Sequence, residues 1–165
     1  MRPELIEKDQ HAGYAARRLA EFTERCREHG LAITPQRLAI IRALLSSPAH
    51  PTAETVYETV RGEHPHISRA TVHRTLEVLC DAGEARKVTL LHDSARYDGN
   101  VAPHHHVVCV RCHRIADVSI PDADERLLSA CKSIGDFQVL GASVEIQAVC
   151  ADCSQASHAK EGSKP

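Results

Sequence analysis

Apolar residues recur at helical spacing four times in the first half of the chain. Residues 14–29 place Leu19, Phe22 and Cys26 along one side with Arg17, Arg18, Arg25 and Arg27 between them, and Gly30 supplies a C-terminal cap. Thr34 and Pro35 read as the N-cap and first-turn proline of a second helix that runs through Leu38, Ile41 and Leu45 and is stopped by Ser46-Ser47-Pro48. A third helix follows Pro51-Thr52 and buries Val56 and Val60. Ser68 caps a fourth, in which Val72, Leu76, Leu79 and Cys80 form a narrow apolar stripe ending at Gly83.

Beyond Gly83 the period shortens. Residues 86–91 and 95–97 are extended runs around a polar His92-Asp93-Ser94 turn, which predicts a hairpin. Short helices followed by a hairpin predict a winged helix-turn-helix with its fourth helix in the major groove. A small helical domain without a nucleic-acid role has the same element order and stays open. The exposed face of the fourth helix, Arg69, Thr71, His73 and Arg74, favours DNA: it offers phosphate and base-edge donors with few acids before Glu77. From residue 104 the pattern gives two extended runs (104–112 and 114–120), a helix-like stretch from Asp122 to Ile134, and two more runs (137–140 and 143–150). The predicted fold class is therefore α+β, with a winged helix in 1–97, a hinge in 98–103, a small α/β domain in 104–153 and a disordered polar tail in 154–165.

A chain of 165 residues divided this way leaves each part near the lower limit for a self-sufficient core. With three Tyr, two Phe and no Trp, the cores must rest on Leu, Ile, Val and Ala, assisted by a metal or a subunit interface. The same scarcity argues against a protein that stacks nucleic-acid bases. The net charge is -2; residues up to and including Asp98 carry 14 basic and 14 acidic side chains, and the remainder 6 and 8. A general polycationic coat is thereby excluded, so a DNA-binding face has to be local. No apolar run reaches signal-peptide or membrane-span length, so the expectation is a cytoplasmic protein with no membrane partner. Seven cysteines in a reducing compartment read as metal ligands and small buried hydrophobes rather than as disulfides.

Cys109-x2-Cys112 and Cys150-x2-Cys153 carry the strongest chemical signal. Two residues between cysteines turn both thiolates toward one ion, and two such knuckles close a tetrahedral structural zinc site. A redox dithiol is the competitor, and it leaves the second pair unexplained. Cys26, Cys80 and Cys131 have no partner at ligand spacing and read as core residues. The second signal is a dispersed set, His50, Asp98, His104, His106 and Asp117. His104 and His106, two apart on a strand, project to one face while His105 points to the other. Taken singly, His50 reads as a helix-leading residue and Asp98 as a turn acid. Nitrogen and carboxylate donors without sulfur suit Fe(II), Mn(II) or Zn(II).

Six motifs in order resemble the ferric uptake regulator (Fur) family: Thr34-Pro-Gln-Arg-Leu-Ala-Ile, His50-Pro-Thr-Ala-Glu-Thr-Val-Tyr, Ile67-Ser-Arg-Ala-Thr-Val-His-Arg-Thr-Leu, Ala95-Arg-Tyr-Asp, His104-His-His-Val-Val-Cys-Val-Arg-Cys and Cys150-Ala-Asp-Cys. The resemblance spans residues 14–153. It implies a homodimeric, metal-dependent transcriptional repressor with a C-terminal dimerisation domain. It also implies structural zinc on Cys109, Cys112, Cys150 and Cys153, and regulatory Fe(II) or Mn(II) on His50, Asp98, His104, His106 and Asp117. Aspartate at positions 98 and 117 is most similar to the peroxide-sensing branch (PerR), in which peroxide and Fe(II) oxidise a histidine ligand, here His50 or His104, and release DNA. A dimer predicts a pseudo-palindromic operator, contacted through Arg69, Thr71, His73 and Arg74 with help from Arg37 and, on the wing, Lys87. Two departures stand out: His73 replaces the family tyrosine, and Ala142 stands where many members carry a histidine, which leaves a further metal site incomplete. Three rival readings are a repressor of iron, manganese or zinc homeostasis without peroxide chemistry, a His/Asp metalloenzyme, and a zinc-stabilised interaction module.

Overall fold

A computed structural model describes residues 4–5, 8–28, 32–47, 49–88, 95–131 and 134–161. It divides into two compact units, residues 7–102 and residues 103–165 together with 1–6.

In the first unit three of the helices start at a hydroxyl cap. α1 (Lys8–Glu28) is followed by α2 (Pro35–Leu45), α3 (Ala53–Val60) and α4 (Arg69–Asp81). Thr34, Thr52 and Ser68 accept hydrogen bonds from the amides of Arg37, Thr55 and Thr71 at 3.2, 3.1 and 3.0 Å, each cap contributing about 1 kcal/mol. Gly83, at φ 71°, turns the chain out of α4, and the Glu84 amide bonds back to the Leu79 carbonyl. The apolar stripes then meet: Phe22 of α1, Ile40, Ile41 and Leu44 of α2, Val56 and Val60 of α3, and Val72, Leu76 and Leu79 of α4 form one buried cluster with Tyr97. β2 (Arg86–Val88) and β3 (Arg96–Asp98) pair antiparallel, Lys87 opposite Tyr97. The turn expected at His92-Asp93-Ser94 and the cap expected at Gly30 lie outside the described residues.

The second unit is a four-stranded sheet in the order β1-β5-β4-β6, from β1 (Glu4–Leu5), β4 (His105–Cys109), β5 (Ile115–Ser119) and β6 (Glu145–Ala148). β4 is antiparallel to β5, with His106 opposite Asp117, and parallel to β6. α5 (Ala123–Ala130) follows β5, and α6 (Ala151–Glu161) follows β6.

Four expectations are corrected here. Residues 137–140 form no strand. Gly135, at φ 59°, turns the chain so that Phe137 only bridges back to Ile134, and no neighbouring strand covers Phe137 or Leu140, which are 75% and 89% exposed. The fourth strand comes instead from Glu4–Leu5, paired with Val118 and Ser119, so the N-terminus does not all belong with the winged helix. The helix expected to reach Ile134 ends at Ala130. The tail expected to be disordered continues α6 through Glu161, as its alanine-rich composition favours, and residues 162–165 lie outside the described residues.

Candidate metal centres and nucleic-acid interface

The two cysteine knuckles are delivered by adjacent parallel strands. Cys109 ends β4; its carbonyl accepts from the His113 amide and its own amide donates to the Arg114 carbonyl, both at 2.9 Å, closing a turn that His113 enters at φ 61°. β6 places Ala148 beside Cys109, Cys150 follows, and the first turn of α6 brings Cys153 around. All four Sγ atoms lie within 4.8 Å of one another, with Cys112 and Cys150 at 3.7 Å. Tetrahedral zinc–thiolate bonds imply sulfur separations of about 3.8 Å, so the set fits such an ion. Backbone amides of Cys112 and Cys150 aimed at Cys109 push its thiol down to about 5, whereas hydrogen bonding of the Cys153 thiol to the Cys112 and Cys150 sulfurs favours its protonated form and pushes it up to about 12. Four thiols this close cannot all ionise without a cation, which is why binding and deprotonation go together. Two arginines brace the knuckles: Arg111 donates to the Cys153 carbonyl at 2.9 Å and Arg114 to Asp152 at 3.0 Å.

The nitrogen and oxygen donors fall into two groups, one on each unit. In the sheet unit, His104 just before β4 and His106 within it turn the same way, their Nε2 atoms 3.0 Å apart. Asp117, opposite His106 on β5, brings Oδ1 to 3.6 Å from His104 Nε2 and 3.9 Å from His106 Nε2. Two imidazoles and a carboxylate that share one point are a fit for one face of an Fe(II) or Mn(II) coordination sphere. His105 points to the opposite side, where its Nδ1 accepts from the Val144 amide at 3.3 Å and its Nε2 faces Asp124 at 3.6 Å. In the winged-helix unit, β3 pins the loop before α3: the Tyr97 amide donates to the Pro51 carbonyl and Arg96 to the His50 carbonyl. That pinning sets His50 Nε2 3.8 Å from Asp98 Oδ1, with both side chains buried. His50 holds φ 47°, a conformation uncommon for a side chain of its size. The Asn100 amide donates to Asp98 at 2.7 Å, and a Cβ on Gly99 would meet Leu45 at 2.7 Å, so the carboxylate sits on a turn with no slack.

The expected DNA face divides less evenly. His73 and Arg74 are exposed on α4 and Lys87 is exposed on β2. Thr71 is half-buried and its hydroxyl lies 2.8 Å from the Ser68 hydroxyl, inside the cap. Arg37 donates to the Ala32 carbonyl at 2.8 Å. Arg69 is held by Glu54 through Nε at 2.9 Å and Nη2 at 2.8 Å.

The family model described as "Ferric uptake regulator family" matches residues 28–147. The chain belongs to the ferric uptake regulator family. It is 37% identical over 137 residues, 83% of its length and 91% of the relative's, to the peroxide-responsive repressor PerR of Staphylococcus epidermidis. To the peroxide operon regulator of Bacillus subtilis it is 38% identical over 141 residues, 86% of this chain and 97% of that one. The solved Helicobacter pylori ferric uptake regulator Fur shares the fold, with a TM-score of 0.70 at 19% identity over 85% of this chain and 93% of that chain.

For a Fur-family chain, the sequence offers these candidate ligands but not the long-range contacts that folding adds. Asp124 opposite His105 is legible only as an acid in the first turn of a helix, and Arg111 and Arg114 read as ordinary turn cations. The main partner of Arg69, Glu54, comes from α3, fifteen residues away, beyond any reading of one helix face. Arg18 and Arg25 of α1 converge on Glu84, Arg18 Nη2 at 2.9 Å, joining α1 to the turn after α4.

Proposed function

We propose that this protein is a homodimeric, metal-dependent transcriptional repressor that acts in the cytoplasm on a pseudo-palindromic operator and responds to hydrogen peroxide. The observation that carries this reading is the convergence of His104, His106 and Asp117, in a chain 37–38% identical to peroxide-responsive regulators. Zinc on Cys109, Cys112, Cys150 and Cys153 is structural, because four protein ligands leave no open position. The same reading assigns His50, Asp98, His104, His106 and Asp117 as the ligands of a regulatory Fe(II) or Mn(II). Such an ion couples DNA affinity to metal occupancy, on a scale of about 1–3 kcal/mol per site. Fe(II) held there would catalyse oxidation by hydrogen peroxide, in which one peroxide oxygen enters the imidazole of His50 or His104 and the other leaves as water. An oxidised imidazole is a poorer donor, so the preference for the DNA-binding state falls. Five ligands leave little room for a substrate, which weighs against an enzyme. Self-association fits the second unit: α5 buries no side chain completely, and Ile134, Phe137 and Leu140 are exposed.

The test is operator retardation by protein loaded anaerobically with Fe(II) or Mn(II). Both forms retard DNA and His104→Ala abolishes it. Peroxide then adds one oxygen atom to a peptide containing His50 or His104 only in the Fe(II) form, with loss of DNA binding. Absence of that mass gain leaves a plain metal sensor, and absence of retardation at every metal loading refutes the repressor.

A further inference from the structure

The length of α3, with its C-cap Arg61, and the first residue of α4 carry a closed cluster of four charges. Arg69 Nε reaches both oxygens of Glu54, at 3.0 and 2.9 Å, and Nη2 reaches Oε1 at 2.8 Å. The same guanidinium lies 4.4 Å above the Tyr57 ring and 3.9 Å from Glu58, which pairs at 2.8 Å with Arg61. All four charged side chains are about half exposed, so the cluster faces solvent beside the surface that carries His73 and Arg74. Two guanidinium groups and two carboxylates cancel.

Resting on the repressor reading, we infer that Arg69 is a positioning residue that masks Glu54 from the DNA backbone and does not itself bind phosphate or base. An exchange of Glu54 for a phosphate would gain Arg69 nothing in charge. It would also leave a carboxylate facing a polyanion, where like charges in contact disfavour the complex. The fork geometry is satisfied in place: three of the guanidinium's contacts are made to one carboxylate plane and its face is stacked on Tyr57. The hydrogen bond from Arg69, helped by its charge, also holds the Glu54 carboxyl below its usual value against the opposing effect of desolvation, so the masked acid is ionised. Reading of the operator is left to His73 and Arg74. Arg74 has no ion-pair partner among the described residues.

The experiment compares wild type, Arg69→Gln and Arg69→Gln/Glu54→Gln, each loaded with Mn(II). The probe is a duplex selected by the wild type from a random-sequence pool, measured across a salt series. Arg69→Gln is expected to bind about fivefold to tenfold more weakly, and adding Glu54→Gln should restore affinity to within twofold of wild type. The salt slope of the double variant should match wild type. A direct phosphate contact would instead lower that slope by about one and leave the double variant weak. A residue that only props the helix would leave the double variant weak at unchanged slope. Either result overturns the masking role while the repressor stands, whereas a wild type that selects no duplex refutes the repressor itself.

Discussion

The two units solve the same problem of small size by different means. Residues 7–102 bury Ile40, Leu44, Val56, Val72 and Leu76 almost completely, drawn from three helices that face one another. The sheet unit buries Val108, Cys109, Ile115 and Val118 and leaves Leu128, Ile134, Phe137 and Leu140 in the open. One unit is held by a core, while the other combines a small core with a four-thiol cluster that fits a zinc staple. This division suits a switch. On the proposed reading, a preformed DNA-binding unit keeps its shape while the unit that carries the four-cysteine cluster also carries His104, His106 and Asp117.

Loss of the staple should separate the two most sharply. Cys112→Ser, or chelation under mild acid where thiolates reprotonate, should melt the sheet signal while the helices of 7–102 persist. Structural zinc is worth on the order of 10–16 kcal/mol in small domains, more than the folding stability of a unit this size. Two transitions in circular dichroism are expected, the lower one moving with zinc concentration. A single transition untouched by the chelator would show that the sheet unit has an adequate core after all.

How far the sequence led differs between the units for the same reason. In the first, period-3.6 stripes, hydroxyl caps and Gly83 are local signals, and Leu38 to Leu45, Val56, Val60 and the stripe of α4 fell where they were expected. In the second, what decides a strand is its neighbour. Residues 137–140 are a short, mainly apolar run but no strand among the described residues lies beside them, and Glu4–Leu5, too short to signal anything, completes the sheet. The candidate ligands could be named because metal chemistry favours Cys, His and Asp, and the structure brings Cys109, Cys112, Cys150 and Cys153 together, and His104 and His106 with Asp117. The long-range pairs were not legible: Glu54 with Arg69, Asp124 beside His105 and Arg18 with Arg25 around Glu84 are joined only by folding.

Within the first unit, Leu76→Ala removes a side chain with no exposed surface at the centre of the helix cluster. The expected cost is about 2–5 kcal/mol, since the surrounding helices can close only part of the cavity. Urea unfolding followed by helix signal should show the midpoint fall at unchanged slope. The zinc-dependent transition of the sheet unit should stay where it was; movement of both together would show that the units unfold as one.

The smallest expected effect probes the ion pairs that close the first unit. Burial opposes ionisation of Glu84, but hydrogen bonds and charge from Arg25, with the charge of Arg18 and its hydrogen bond at 2.9 Å, outweigh it and hold the carboxyl below the usual Glu value. Glu84 and Arg18 are almost enclosed, 12% and 10% exposed, whereas Arg25 is 38% exposed, which places the network between a surface pair and a buried one. Glu84→Gln should therefore cost about 1–2 kcal/mol at neutral pH. Because the folded-state value is the lower one, the contribution is complete above the unfolded value of about 4.3 and is lost as pH falls through the folded value. The gap between wild type and Glu84→Gln in urea should be constant from pH 8 to about 5 and then close on the acid side. A gap that persists unchanged into acid would mean that the carboxamide loses packing rather than charge. The Arg18 and Arg25 contacts would then be incidental to how α1 is held against the turn after α4.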